Sequence, residues 1–187
     1  GEAALDGLMT DHGRFEHNRQ SLRVVDYLEH PYPHFRGLNL TRIVRLCLAK
    51  HETRYDLPLS GAQGLPGGLD APGMAPLAGQ LVDLADEIAY TSADLEDSLA
   101  AGSISVEQVE HLALWQHAWR AAEESAPHAR AIHNRIRACK NVLAAMADNL
   151  LNTTVAVIDS LGVRGPDDVR DARRRCVGFS PRMARDI

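Results

Sequence analysis

The chain is poor in cysteine and in aromatic residues, and each shortage excludes a class of protein. Its 187 residues contain three cysteines, Cys47, Cys139 and Cys176, which are odd in number and far apart. Neither a disulfide framework nor a CxxC metal knuckle fits that spacing, so a reducing, cytoplasmic location is expected. Aromatic residues make up 5% of the chain, and alternating runs of β-branched residues are scarce. Because alanine, leucine and arginine dominate instead, the composition predicts an all-α protein.

Long apolar segments and a basic charge balance are also missing. No run of about 18 uninterrupted apolar residues occurs, and the first residues lack the pattern of a signal peptide, so no membrane partner is expected. The net charge of −5 argues against nucleic acid as the main partner. Of the 20 basic residues, 18 are arginine. This excess reflects either phosphate recognition by the guanidinium group or a biased genome, and the sequence leaves both interpretations open.

Hydrophobic periodicity and capping residues predict five helices separated by turns. The predicted ranges are residues 14–29, from Asn39 or Thr41 to about 51, 77–100, 106–124 and 127–161. Ser105 and Gln108 have the spacing of a capping box at the start of the fourth helix. Nine glycine and proline residues between about 56 and 76 cannot sustain regular structure. This range is predicted to be a surface loop, either a lid beside a pocket or a tolerated insertion.

Three polar residues, Asp86, Tyr90 and Asp94, recur at every fourth position of the third helix and therefore share one face. On a helix expected to be buried, two carboxylates and a phenol are costly to desolvate unless a metal ion or a polar ligand satisfies them. The same spacing also suits a solvated polar face. The pattern alone leaves a binding site and a solvated face both open.

Three sequence blocks occur in a specific order: FEHNRQSLRVV at residues 15–25, YPHFRGLNLT at 32–41 and VDLADEIAYTSADLEDSL at 82–99. Together they resemble the deoxynucleoside triphosphate triphosphohydrolases, the dGTPase-like branch of the HD-domain metal phosphohydrolases. The resemblance implies an HD-domain-like helical bundle over residues 1–187, which forms a homo-oligomer. It also implies that a deoxynucleoside triphosphate, with dGTP as one candidate, is hydrolysed to the deoxynucleoside and inorganic triphosphate.

The resemblance assigns Asp86 as a ligand of a divalent metal ion. A carboxylate oxygen combined with imidazole nitrogens suits magnesium, manganese, iron or zinc, so the ligand set does not name the ion. Tyr90 and Asp94 are implied to contact the sugar and phosphates of the nucleotide. A late helix brings basic side chains to the triphosphate in this family, which makes Arg135 or Arg137 a candidate; a basic stripe that faces solvent or a neighbouring subunit is the alternative.

The resemblance also assigns residues near the start of the chain. His17 is implied to lie near the phosphates, where it stabilises charge as a cation or donates a proton. Glu2 is implied to orient a catalytic histidine. Asn18 and Gln20, next to His17, are further candidates for substrate binding, although a polar helix face also accounts for them.

The chain departs from the family pattern in its metal ligands. The first histidine, the His-Asp pair and the histidine before Glu2 are all expected upstream of residue 1, and no His-Asp dipeptide occurs in the chain. We therefore expect the chain to be a fragment that does not hold the metal by itself. The alternatives are an HD-type phosphohydrolase that acts on another nucleotide and a non-catalytic helical regulatory or assembly subunit; the residues that precede Gly1 would discriminate between enzyme and degenerate partner.

Overall fold

The described part of the chain is helical. The computed structural model of the protein describes residues 2–52, 65–69 and 71–187. Within these ranges there are nine α-helices and no strand, which confirms the prediction of an all-α protein. The helices are α1 (Glu2–Leu8), α2 (His17–Arg23), α3 (Arg42–Ala49), α4 (Leu77–Ala101), α5 (Val106–Val109), α6 (Ala113–Ser125), α7 (Ala131–Leu161), α8 (Pro166–Arg170) and α9 (Met183–Asp186).

The two long helices lie close to their predicted limits. α4 covers the predicted range 77–100 and one further residue, and α7 ends at Leu161 as predicted. α7 begins at Ala131 rather than at residue 127, because a turn closed by the hydrogen bond from the amide of Ala129 to the carbonyl of Ala126 comes first. α3 also follows the prediction, with Thr41 immediately before its first residue.

The prediction of one helix over residues 106–124 is wrong. The chain forms α5 and α6 instead, because Leu112 between them has an extended backbone, with ψ of 128°. The predicted capping box at the start of α5 is confirmed: the side-chain oxygen of Gln108 accepts a hydrogen bond from the amide of Ser105 at 2.8 Å.

The predicted helix over residues 14–29 is interrupted by a π-helical turn. α2 ends at Arg23, and residues Val24–Leu28 form the π turn. The amide of Leu38 donates a hydrogen bond of 2.7 Å to the carbonyl of Val25, so a later segment of the chain uses an acceptor in this turn. The side chain of Asp26 accepts two hydrogen bonds from Arg45 on α3, at 3.1 and 2.6 Å. These contacts join the π turn to residue 38 and to α3.

The chain forms two compact units. Unit 1 consists of residues 1–83 and 164–175, and unit 2 consists of residues 84–163 and 176–187. The expectation of a single helical domain over residues 1–187 therefore stays a prediction. Buried leucine and alanine side chains form a core cluster in unit 1: Leu22, Ala49, Leu65 and Leu69.

The core of unit 2 is built where α6 packs against α7. One face of α7 is buried at every fourth residue: Asn134, Ala138, Val142, Met146, Leu150 and Thr154. The buried residues of α6 are Trp115, Ala118 and Ala122, and the side-chain amide of Asn141 donates to the carbonyl of Ala118 at 3.0 Å. α7 is also long and apolar enough, by length and composition, to cross a membrane, a test that a core helix of a soluble protein passes as well.

The predicted glycine- and proline-rich loop lies only partly within the described residues. Residues 56–64 and 70 of that loop lie outside them. Its described part contains a short 3-10 turn at Pro66–Gly68. Two basic side chains bind the backbone of this part. Arg42, the first residue of α3, donates to the carbonyl of Gly67 at 2.6 Å. Lys50, the residue after α3, donates to the carbonyls of Ala71 and Gly73 at 2.8 and 2.9 Å.

Candidate functional site

His17 begins α2, and its ring is held by the carboxylate of Glu2, the first residue of α1. One oxygen of Glu2 lies 2.9 Å from Nδ1 of the ring and accepts a hydrogen bond of 2.9 Å from the backbone amide of His17. Glu16, which precedes the helix with an extended backbone, accepts hydrogen bonds from the amides of Asn18 and Arg19 at 2.8 and 2.7 Å. The two carboxylates thus satisfy amides of the first turn and lie at the positive end of the helix dipole.

The contact with Glu2 decides which nitrogen of His17 carries a proton. An ionised carboxylate only accepts hydrogen bonds, so the hydrogen atom between the two groups belongs to Nδ1 of the imidazole. Nε2 is then the ring nitrogen that Glu2 does not contact. The side chains of His17 and Glu2 are 30% and 26% exposed, so the pair is partly accessible from solvent.

Glu2, Glu16 and His17 also have the composition of a metal-binding group. One potential ligand atom from each residue lies within 4.8 Å of the others. However, the oxygens of Glu16 cap α2, and one oxygen of Glu2 holds His17. The arrangement therefore acts in this structure as a helix cap and as a support for the imidazole.

A second pair of a histidine and a carboxylate occurs in unit 1, between His51 and Asp83. His51 lies just after α3, and its Nδ1 is 2.6 Å from one oxygen of Asp83 on α4. The other oxygen of Asp83 forms an ion pair with Nη2 of Arg175. The side chain of Asp83 is only 4% exposed. A carboxylate buried to this extent needs both a counter-charge and hydrogen bonds, and the imidazole and the guanidinium supply them.

The two histidine–carboxylate pairs are in contact. The rings of His17 and His51 meet edge to face, with centroids 5.9 Å apart and an angle of 87° between their planes. The side-chain amide of Asn18 donates a hydrogen bond of 2.8 Å to the backbone carbonyl of His51. Glu2, His17, Asn18, His51 and Asp83 therefore form one connected group within unit 1, which we call the histidine cluster.

The other predicted site residues lie on α2, α4 and α7. Asp86 and Asp94 are exposed and Tyr90 is half-buried, so α4 is not buried along this face; the spacing alone had left a binding site and a solvated face both open. The buried positions of α4 instead include Asp83 and Ile88. Gln20 is half-buried in α2, on the turn that begins with His17.

Arg135 makes a structural contact within unit 2. Its Nη1 donates a hydrogen bond of 3.0 Å to the carbonyl of Leu99, close to the end of α4. A cation at this position satisfies one of the last carbonyls of the helix and interacts favourably with the negative end of its dipole. Any contact of Arg135 with a triphosphate stays a prediction.

The sequence did not predict the contacts of the buried Asp83 carboxylate with its two partners, His51 and Arg175. The partners of Asp83 are 32 and 92 positions away along the chain, so no local spacing pattern contains them. A weaker signal was present: Gln80 and Asp83 share the buried face of α4 with Ile88 and Leu99. Ionisable residues at such positions require a partner, because an unpaired buried charge is strongly destabilising.

Several known proteins that share the same name are similar to this chain over nearly its whole length. The chain is 36% identical over 184 residues to the deoxyguanosinetriphosphate triphosphohydrolase-like protein of Geobacter sulfurreducens, a match that covers 98% of this chain and 46% of the relative. It is 40% identical over 187 residues to the protein of the same name from Ralstonia pickettii, with 98% and 46% covered. The protein of that name from Caulobacter vibrioides is 31% identical over 198 residues, with 100% and 49% covered. No protein-family model matches the chain.

The fold and the site define an all-α protein that carries carboxylate-paired histidines, and an HD-domain-like bundle fits both the helical fold and the similar proteins. The resemblance of the sequence blocks is confirmed by similarity over nearly the whole chain. Over nearly its whole length the chain is consistent with a fragment of the deoxyguanosinetriphosphate triphosphohydrolase-like family. It spans about half the length of the curated relatives it matches.

Proposed function

We propose that the whole protein containing this chain hydrolyses deoxynucleoside triphosphates to the deoxynucleoside and inorganic triphosphate. In this reaction a water oxygen bonds to the α-phosphorus, the bond from that phosphorus to the 5′-oxygen breaks, and the 5′-oxygen receives a proton. The triphosphate leaves as one unit. The similar proteins, which are named deoxyguanosinetriphosphate triphosphohydrolase-like, support a role in nucleotide triphosphate hydrolysis.

The observation that carries the proposal is the pairing of Glu2 with His17. Because Glu2 holds Nδ1, the ring has a fixed orientation and a defined tautomer. A histidine held in this way stabilises negative charge on a phosphate as a cation, or donates a proton from Nε2 to the leaving oxygen. The role of Glu2 is to orient this ring, as a carboxylate does for histidines in other catalytic sites.

Asp86 is the residue of this chain that we propose as a metal ligand. Its carboxylate is exposed, and a hard oxygen donor suits magnesium or manganese, as well as iron or zinc when imidazoles complete the site. The residue thus fits the group, since an exposed carboxylate is accessible to an ion without rearrangement of a buried network. When bound, a divalent cation would polarise a phosphate oxygen and lower the pKa of a water molecule bound to it.

Substrate contacts are proposed for Tyr90, Asp94 and Gln20. The hydroxyl of Tyr90 and the carboxylate of Asp94 follow Asp86 by one and two helical turns on α4, which suits contacts along the sugar and phosphates of one nucleotide. Asn18 already donates its amide to His51, so we assign it the support of the cluster rather than a direct substrate contact. Arg135 remains a candidate phosphate ligand through the donors that Leu99 does not use.

We further propose that the whole protein is a cytoplasmic homo-oligomer. Large apolar side chains on α7 are exposed, among them Ile132, Leu143, Leu151 and Val155. Apolar positions of this kind favour association when they form a contiguous patch. Subunit contacts through α7 would remove this surface from water.

Product analysis tests the proposed function. The whole protein is incubated with each deoxynucleoside triphosphate and manganese, and the products are separated by anion-exchange chromatography. We expect equal amounts of deoxynucleoside and inorganic triphosphate. Release of orthophosphate or pyrophosphate would instead indicate a phosphohydrolase that acts on another bond, and no turnover with any of the substrates would indicate a helical regulatory subunit.

A further inference from the structure

Asp83 is the most deeply buried ionisable residue of the histidine cluster. Its two oxygens have different partners: Oδ1 contacts Nδ1 of His51 at 2.6 Å, and Oδ2 pairs with Arg175. Nη2 of Arg175 also lies 3.5 Å from the carbonyl of Gln80, one turn earlier on α4. The carboxylate is therefore clamped between a cation and an imidazole, and it has little freedom to rotate.

His51 transmits this restraint to the start of α2. Its ring contacts the ring of His17 edge to face, and its backbone carbonyl is bound by Asn18, the residue after His17. Because Asp83 fixes the orientation of the His51 ring, it also fixes the ring that contacts His17. Glu2 supplies a second constraint by holding Nδ1 of His17. The imidazole of His17 is restrained both at its nitrogen and at its ring.

A structural role alone does not account for the residue types in this network. The free energy of desolvating a buried carboxylate is not generally recovered by an ion pair, and a well-packed apolar residue stabilises such a position as well or better. Asp83 is paired with the imidazole of His51, and this pair lies next to the pair of Glu2 and His17. Carboxylates commonly orient functional imidazole rings through contacts of this kind.

We infer that Asp83 is a positioning residue for His17 and that it acts through His51. The effect of Asp83 on the reaction rate rests on the proposed function, because His17 acts in that reaction. Neither Asp83 nor His51 is assigned a contact with the substrate. Loss of the Asp83 carboxylate therefore lowers the rate of the chemical step without a comparable change in substrate binding.

Steady-state kinetics of the whole protein test this inference. We compare D83N, H51F and the double variant with D26N, which breaks a carboxylate–arginine pair of the same unit that touches neither histidine. D83N and H51F are each expected to lower kcat by about 10- to 100-fold, because small misplacements of a catalytic group have effects of this size. KM should stay within about twofold, and D26N should keep the wild-type kcat.

The double variant separates action through His51 from independent action. If Asp83 acts through His51, the double variant loses no more activity than the more impaired of the two single variants, since residues of one pathway are not additive. Independent losses that multiply would overturn the inference. A rise in KM at unchanged kcat, or an equal loss in D26N, would overturn it as well.

A measurement on His17 itself distinguishes failure of this inference from failure of the proposed function. Nitrogen-15 resonances of the histidine rings are recorded for the whole protein, with H17A used to assign His17. In D83N the His17 resonances should shift and broaden, while in D26N they should match the wild type. Unchanged His17 resonances in folded D83N overturn the inference even if the wild-type protein has no turnover. If D83N does not fold, R175Q removes the other clamp on Asp83 at a partly exposed side chain and should give the same change.

Discussion

Gly37 supports the turn that follows α2, and its replacement by alanine should destabilise the protein strongly. Gly37 has a φ of +77°, a conformation that residues with a Cβ atom rarely adopt. A Cβ atom at this position would clash with the carbonyl group of Asp26 and would lie 2.8 Å from the carbonyl oxygen of Val25. Both carbonyls belong to the π turn at Val24–Leu28, and a backbone atom cannot move away as the end of a flexible side chain can.

The magnitude follows from two separate costs. A left-handed conformation costs an L-residue about 1–2 kcal/mol. Overpacking against the backbone adds about 1–3 kcal/mol, so the total is roughly 2–5 kcal/mol. A typical domain has a free energy of unfolding of about 5–15 kcal/mol, so this loss is a large fraction of the stability. G13A is the matched control in unit 1, because Gly13 has a φ of +90° but a Cβ atom added there would have no neighbouring atom within 4 Å.

Urea unfolding followed by circular dichroism measures both variants. G13A should lose only the conformational cost, about 1–2 kcal/mol, reduced by the lower entropy of its unfolded chain. G37A should lose at least about 1 kcal/mol more, the lower limit for the overpacking cost. Equal stability of G37A and G13A would refute the close approach of residue 37 to the π turn, and wild-type stability of G37A would also refute its positive φ.

Three further substitutions test residues outside this turn. D86A should lower turnover by more than about tenfold at saturating manganese with unchanged helicity, because a proposed metal ligand is lost; activity closer to wild type would contradict that role. Y90A should lower kcat/KM for deoxynucleoside triphosphates, and an unchanged value would remove this residue from the site. D6N should lose stability near neutral pH, because hydrogen bonds from Arg14 and the amide of Phe15 hold the pKa of Asp6 below its ordinary value. That contribution is present above the unfolded pKa of about 3.9 and is lost as the pH falls through the lower folded pKa, so the difference in unfolding free energy between D6N and wild type should shrink below about pH 4.

Local sequence patterns predicted the helices where local interactions decide the backbone. α4 and α7 have long runs of helix-forming residues, and both were predicted to within a few residues at each end. The π turn after α2 was not predictable in this way, because its carbonyl at Val25 is bound by the amide of Leu38 from a later segment. Periodicity also continued across Leu112, where the chain becomes extended and separates α5 from α6. An interaction between segments therefore contributes to the backbone of the π turn.

The site residues were likewise predicted only in part, because several of their partners are distant in the sequence. The resemblance supplied Glu2 and His17 but paired Glu2 with a histidine upstream, whereas the structure pairs it with the ring of His17. On α4 the spacing of Asp86, Tyr90 and Asp94 left a binding site and a solvated face both open, and the structure shows that Asp83 is the buried acid and that Asp86 is exposed. The helical period identifies which residues share a face but does not show which face packs inward when polar residues lie on both. An acid among the apolar residues of a helix therefore predicts that a partner exists, and only the tertiary fold shows that the partners of Asp83 are His51 and Arg175.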